Sequence, residues 1–207
     1  VSQLVHPGIV SVHDIVESEG DVFVVMDFVD GRSLAEILYE RRRLGLEECR
    51  AIFQCVCEAV DFAHRSRILH RDLKPGNVMI DAGGHPKVMD FGLAREAKDT
   101  LSQITQLDQS GTPSYMAPEQ HLGKAVRASD VYSLGVTLYE ALTGQLPFPG
   151  PDFLAQKERM KFPPPQFLAQ GLPQALEPLM ASVLDPDPRK RLQEAGELCA
   201  ALKGLSL

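Results

Sequence analysis

Residues 68 to 81 read Ile-Leu-His-Arg-Asp-Leu-Lys-Pro-Gly-Asn-Val-Met-Ile-Asp, a polar knot between two apolar runs. Arg71, Asp72, Lys74 and Asn77 place one acid, two cations and one amide side by side, and Pro75-Gly76 set a turn between them. Such a loop, flanked by apolar segments, must satisfy its charges with each other or with a ligand. Downstream, the apolar pair Val88-Met89 ends on a second acid, Asp90. Asp72, Asn77 and Asp90 together offer the oxygen ligands that a hard cation prefers. The plainer alternative is a loop whose charges only pair internally.

The segments around this knot must hold it in place. Ile68-Leu69 and Val78-Met79-Ile80 read as two short buried strands, and Gly83-Gly84 turns the chain back into Lys87-Val88-Met89 as a hairpin. Near the start, the run Ile9 to Val16 and the run Val22 to Met26 flank a polar turn containing Gly20, which predicts two antiparallel strands. Helices are predicted from Gly31-Ser33 through Leu38, from Glu47 to Arg65, from Ala128 to Leu142, from Asp152 to Arg159, from Leu176 to Leu184 and from Glu194 to Lys203. The Ala128 helix is apolar almost all round and should be buried, which makes Asp130 costly unless its carboxylate is bonded. His64, at the end of its helix, reads as a structural cation. Phe162 to Pro165 reads as a rigid loop.

Bulk properties narrow the function classes. A chain of 207 residues with 44% hydrophobic content can build one sizeable core or two lobes. A formal net charge of -7 argues against a nucleic-acid or anionic-membrane surface. No apolar run reaches the length of a membrane span. Cys49, Cys55, Cys57 and Cys199 have spacings that suit neither zinc nor an obvious disulfide, so reduced thiols in a cytosolic protein are expected.

His70-Arg71-Asp72-Leu73 with Asn77, then Asp90-Phe91-Gly92, then Ala117-Pro118-Glu119 resemble, in order, the catalytic loop, D-F-G and A-P-E motifs of protein kinases. The resemblance implies an α+β, protein-kinase-like fold. It implies a serine/threonine protein kinase that moves the γ-phosphoryl group of ATP, with Mg2+, to a protein Ser/Thr hydroxyl. Asp72 would accept the hydroxyl proton, Lys74 would neutralise the phosphoryl group, and Asn77 and Asp90 would hold magnesium. The carbonyl of Asp27 and the amide of Val29 would face adenine at the hinge, next to Met26 at the gatekeeper position, with Met79 as the adenine floor. Both methionines are equally readable as core residues. The stretch Gly111-Thr112-Pro113-Ser114-Tyr115-Met116 resembles the serine/threonine form of the substrate-docking loop, with Thr112 bonded toward Asp72 and Lys74. Glu119 is expected to pair with Arg191, and Asp130 to accept bonds from the catalytic-loop backbone. Leu93 to Ser110 would be an activation segment, with Thr105 as the leading phosphosite and Arg71 as the partner of the phosphate. The wording of these motifs is most similar to the eukaryotic-like kinases of bacteria.

Within the resemblance, residues 1–30 correspond to a remnant of the kinase N-lobe and hinge, and residues 31–207 to the C-lobe. The chain contains no G-x-G-x-x-G and no strand lysine of the V-A-I-K type. These 207 residues alone are therefore expected to be inactive, within a cytoplasmic parent that carries the rest of the N-lobe and could be membrane-anchored elsewhere. No nucleic acid or membrane partner is expected for this segment. Two other classes stay open: a pseudokinase scaffold, whose usual mark is a lost motif residue, and a small-molecule kinase, which would generally lack the A-P-E segment.

Overall fold

The computed structural model describes residues 4–18, 21–91 and 112–206. The segment expected to be the activation loop, with Thr100, Ser102, Thr105 and Ser110, lies outside the described residues.

The architecture is a helical body with two small sheets. Strands β1 (Val12–Ser18) and β2 (Asp21–Met26) pair antiparallel as a two-stranded ribbon. A second sheet has the order β3-β4-β5, with β3 Gly31–Ser33, β4 Val78–Asp81 and β5 Pro86–Val88, all antiparallel. The backbone of Ile9 and Val10 joins the two sheets, since the amide of Val10 donates to the carbonyl of Val88. Among the described residues there are seven α-helices: α1 (Leu34–Arg41), α2 (Leu46–Arg65), α3 (Arg127–Thr143), α4 (Phe153–Arg159), α5 (Pro165–Leu168), α6 (Leu176–Val183) and α7 (Ala195–Gly204).

The core is built around α2 and α3. In α2, Cys49, Ile52, Phe53, Val56, Ala59, Val60 and Ala63 recur at helical spacing and are all buried. They meet α7, α3 and β5. Asp61, on the flank of α2, caps α7 from outside by accepting the amides of Ala195 and Gly196. In α3, 15 of 17 residues are buried, so it is an interior axle rather than a surface helix. Three of its hydroxyls are satisfied within the helix, because Ser133, Thr137 and Thr143 donate to carbonyls four residues back, whereas the buried Tyr132 hydroxyl has no partner among the described residues. Gly135 is needed there, since a Cβ would come within 2.3 Å of Val183 on α6. Gly144 ends the axle with φ 74°, the left-handed cap that glycine favours.

Three local readings of the sequence are corrected. Ile68-Leu69 is neither a strand nor buried. Arg67 takes φ 63° and the amide of Ile68 donates to Ala63, so these residues close the C-terminus of α2 instead of joining a sheet. Gly31-Ser33 is a strand that pairs with β4, and only Ser33 belongs to the helix signal, as the N-cap of a capping box with Glu36. The proline-rich loop gives way to α5 at Pro165, where a proline at the first helical position is well placed. The four cysteines are free thiols. Burial pushes Cys49 up to about 12 and Cys57 well above its ordinary value, so neither is a ready nucleophile.

The body is tied across its length by one buried ion pair. Arg191 donates to both oxygens of Glu119 at 2.7 Å, and Ser129 adds a third bond at 2.6 Å. The remaining guanidinium hydrogens go to the carbonyls of Ala128, Asp185 and Pro186. Burial alone would raise Glu119, but the bonds from Arg191 and Ser129 outweigh it and hold the carboxyl below its ordinary value. The pair therefore stabilises the fold above the usual carboxylate range and loses that contribution as pH falls through it. Arg191→Ala strands the carboxylate and should cost about 3–5 kcal/mol. A denaturant midpoint unchanged from the wild type would refute this, as would a stability that keeps its full value under acid.

Candidate active site

The catalytic-loop backbone hangs from α3. The carboxylate of Asp130, only 1% exposed, accepts the amide of His70 at 2.9 Å, the amide of Arg71 at 2.8 Å and the Nε2 hydrogen of His64 at 2.7 Å. Arg71 has φ 70°, a left-handed conformation that costs a non-glycine residue roughly 1–3 kcal/mol and persists only where its surroundings enforce it. The two amide bonds to Asp130 supply that enforcement. The His70 ring fixes the loop from its other side. Its Nε2 faces the carbonyl of Met89 at 2.8 Å, and its Nδ1 accepts the amide of Asp72 at 3.3 Å. A ring that donates at one nitrogen and accepts at the other is neutral. Burial pushes its pKa down, which keeps it so. The same ring lies 4.7 Å from Phe91, so the catalytic loop and the Asp90-Phe91 turn are held as one unit.

Asp72 is the centre of the polar network. Its Oδ2 takes Lys74 Nζ at 2.7 Å and Asn77 Nδ2 at 3.2 Å. Its Oδ1 takes the amide of Thr112 at 2.9 Å and the Thr112 hydroxyl at 3.2 Å. Lys74 Nζ also reaches Thr112 Oγ1 at 2.7 Å. The acid and the lysine are each 28% exposed in their side chains, so an incoming hydroxyl can reach both. Asn77 donates its amide nitrogen to the carbonyl of Asp72 at 2.7 Å, which turns its side-chain oxygen away from that contact. Asp90 has φ 64° and no bond to another described residue. The Asn77 oxygen and the Asp90 carboxylate are thus hard donors without partners among the described residues, the kind of pair magnesium accepts.

The remaining predicted residues are placed less tightly. Asp27 and Val29 line a cavity of about 390 Å³ together with Val10, Asp30 and Lys87. The Asp27 side chain is occupied by His13 at 2.6 Å. Met79 lies in the middle of β4, paired with Ser33 and Lys87, and does not line that cavity. A second cavity, about 470 Å³, adjoins the catalytic group through Lys74 and Thr112 and is also lined by Leu38, Tyr39, Tyr115 and Glu140.

Four participants make contacts that no motif signals. His64 bonds Asp130 rather than merely ending its helix, and only the need of a buried Asp130 for a third donor could have pointed to it. Gln120 donates to the carbonyl of Arg71 at 3.0 Å and accepts the amide of Ala117, tying the docking loop to the catalytic loop. Tyr115 donates to Glu140 at 2.6 Å, a pair with no sequence signature. Lys157 supports the docking loop from beneath. Asp130→Asn leaves one donor facing an amide group, and a buried unsatisfied donor costs about 1–3 kcal/mol. Hydrogen exchange should show faster exchange of the His70 and Arg71 amides in that variant. Unchanged protection at both amides would mean that α3 does not hold the loop.

Comparison with known proteins adds an independent finding. The family model described as the protein kinase domain matches residues 1–201. The serine/threonine-protein kinase PknB of Mycobacterium tuberculosis is 39% identical over 206 residues, covering 95% of this chain and 33% of that protein. A probable PknB of Bifidobacterium longum is 38% identical over 211 residues, covering 95% of this chain and 31% of its own length. A probable PknB of Lactococcus lactis is 36% identical over 203 residues, covering 96% of this chain and 32% of its own length. The chain therefore spans about a third of the length of the curated relatives it matches. With the catalytic loop, the Asp90-Phe91 turn and the docking loop brought together and residues 1–201 matched by the family model, the chain belongs to the protein kinase family, and the relatives it resembles are bacterial serine/threonine kinases.

Proposed function

We propose that the protein carrying these residues transfers the γ-phosphoryl group of ATP to serine or threonine hydroxyls of protein substrates. The observation behind this reading is the Asp72 carboxylate, bonded on one oxygen by Lys74 and on the other by Thr112 of the docking loop. An acid, a cation and the loop that presents substrate thus share one half-open cluster. Phosphoryl transfer depends on positioning and charge neutralisation more than on covalent protein chemistry, and this cluster supplies both. Asp72 orients the hydroxyl and takes its proton. Lys74 sits where it can neutralise the transferred group. Asn77 and Asp90 would hold Mg2+, which when bound neutralises phosphate charge. The Asp27 carbonyl and Val29 amide would meet adenine at the hinge, with Met79 below it. Arg71, on its strained backbone, keeps Asp72 in line. In this reading residues 1–30 are a remnant of the N-lobe and hinge and residues 31–207 are the C-lobe of a cytoplasmic catalytic domain. Among the described residues, no helix is long and apolar enough to cross a membrane.

We infer further that residues 1–207 alone do not transfer phosphate. They contain neither a glycine-rich loop nor a strand lysine to clamp the nucleotide, and losing one preorganised charge donor already costs roughly 10²–10³ in rate. On the β1–β2 ribbon, Val16, Phe23 and Val25 are 43%, 54% and 45% exposed, apolar surface that invites association. The alternative, a scaffold without transfer activity, has no lost motif residue to support it.

In the full-length protein, Asp72→Asn should lower transfer by roughly 10²–10⁴ through loss of the base, and Asp90→Asn through weakened magnesium binding. Raising magnesium should restore part of the second loss only, as read by phosphate incorporation into a protein substrate. Equal rescue of both variants would show these roles misassigned. Calorimetric ATP binding in the micromolar range by the isolated 207 residues, with turnover near about one per second, a typical kinase rate, would refute the inference about the segment alone.

A further inference from the structure

Lys157 of α4 is fully buried, and among the described residues no carboxylate pairs with it. An ammonium group is expensive to bury without a counterion. Its Nζ donates to the carbonyl of Pro113 at 2.5 Å and to the carbonyl of Met116 at 2.7 Å, with His121 Nε2 3.4 Å away. It also lies 5.6 Å from the centre of the Phe153 ring and 5.9 Å from that of Tyr132. Both carbonyls belong to the docking loop, immediately after the Thr112 that bonds Asp72 and Lys74. The Tyr132 ring in turn lies 4.8 Å from the guanidinium of Arg191, which holds Glu119 at the far end of the same loop. Besides the bonds of Tyr115 and Gln120, the loop is thus fastened by the Asp72–Lys74 network at Thr112, by Lys157 and Ser133 in the middle, and by Arg191 at its end. An apolar side chain of similar volume would fill the space under α4 but leave the carbonyls of Pro113 and Met116 without this donor and loosen the middle of the loop, where Ser133 would still hold the Tyr115 carbonyl.

We propose that Lys157 is a positioning residue for the protein substrate, fixing the backbone of residues 113 to 116 so that the loop presents a hydroxyl to Asp72. This inference rests on the transfer reading above. It carries a pH dependence as well. Burial lowers the lysine to about 7, whereas a loop that opens returns it to water and to its ordinary value near 10.5. Between those values the open loop binds more protons than the closed one, so rising pH favours closure. The groups facing Nζ do not cancel this. Burial and then the Lys157 charge lower His121, which is neutral in that window. Burial pushes the phenols of Tyr132 and Tyr115 up, and Glu119 stays charged against Arg191.

The test compares Lys157→Met and Lys157→Arg with the wild-type chain by hydrogen exchange, using the amides of α3 as an internal reference. In the methionine variant the amides of Tyr115 and Met116, both bonded to the carbonyl of Thr112, should exchange about tenfold faster while α3 keeps its protection, a local opening rather than global unfolding. Wild-type loop protection should rise between about pH 7 and about pH 9 after correction for intrinsic rates, and that rise should vanish in the arginine variant, whose charge does not titrate. In the full-length protein, KM for a protein substrate should rise about tenfold with KM for ATP unchanged. Equal acceleration throughout α3 would make Lys157 a residue of general stability and overturn the proposal. So would an unchanged loop, a flat wild-type pH profile, or a parallel rise in both KM values. A wild-type protein that transfers no phosphate would sink the transfer reading, and the exchange data would still decide whether Lys157 holds the loop.

Discussion

The arrangement of the site depends on one carboxylate in the interior. Asp130 sits near the start of the buried helix α3, where an unpaired charge would cost several kcal/mol. Three donors meet that demand, and two of them are consecutive backbone amides of the catalytic loop. The electrostatic need of the core and the geometric need of the site are therefore met by the same bonds. Were the carboxylate absent, His70 and Arg71 would have to find other acceptors, and the left-handed backbone of Arg71 would have no reason to persist. The placement of Asp72 follows from this, since it is the next residue along the chain.

Around that anchor the docking loop is held by cations used in different ways. Arg191 meets a carboxylate with its planar fork, the geometry for which arginine is suited. Lys157 meets carbonyl oxygens rather than a carboxylate among the described residues, which suits a compact group with several rotatable donors. Lys74 is half-open and bridges Asp72 to Thr112, so its bonds can be exchanged for those of a ligand. Burial separates the three roles. The two deeply buried basic side chains fix backbone, and the accessible one remains available for chemistry.

Much of this was legible in the sequence, because kinase motifs are short, ordered and tied to specific contacts. The pairing of Thr112 with Asp72 and Lys74, of Glu119 with Arg191, and of Asp130 with the loop amides all follow from motif position, and the geometry has them as expected. The long helices were legible from periodicity, α3 above all, since a helix apolar all round has one place to go. What failed was local. Ile68-Leu69 looks like a strand in isolation, but the preceding helix needs its C-terminal carbonyls satisfied, and that requirement won. Gly31-Ser33 is too short for any period to register. The partners of His64, Gln120 and Lys157 could not be read, because each lies far along the chain, and a lone polar residue gives no hint of which carbonyl or carboxylate it will meet.

The uneven burial of the chain follows the same logic. From β3 onward most of the described elements contribute to the two apolar clusters around α2 and α3. The β1–β2 ribbon instead reaches the body mainly through the backbone of Ile9 and Val10 against β5. A two-stranded ribbon is marginal by itself, and its exposed Phe23 and Val25 gain nothing from the helical core. Stability should therefore be graded along the chain, highest where Asp130 and Arg191 are buried and lowest at the ribbon. The catalytic groups have their backbone fixed by the stable part while the side chains of Asp72 and Lys74 stay partly exposed, an arrangement that lets a ligand approach without disturbing the bonds that hold the loop.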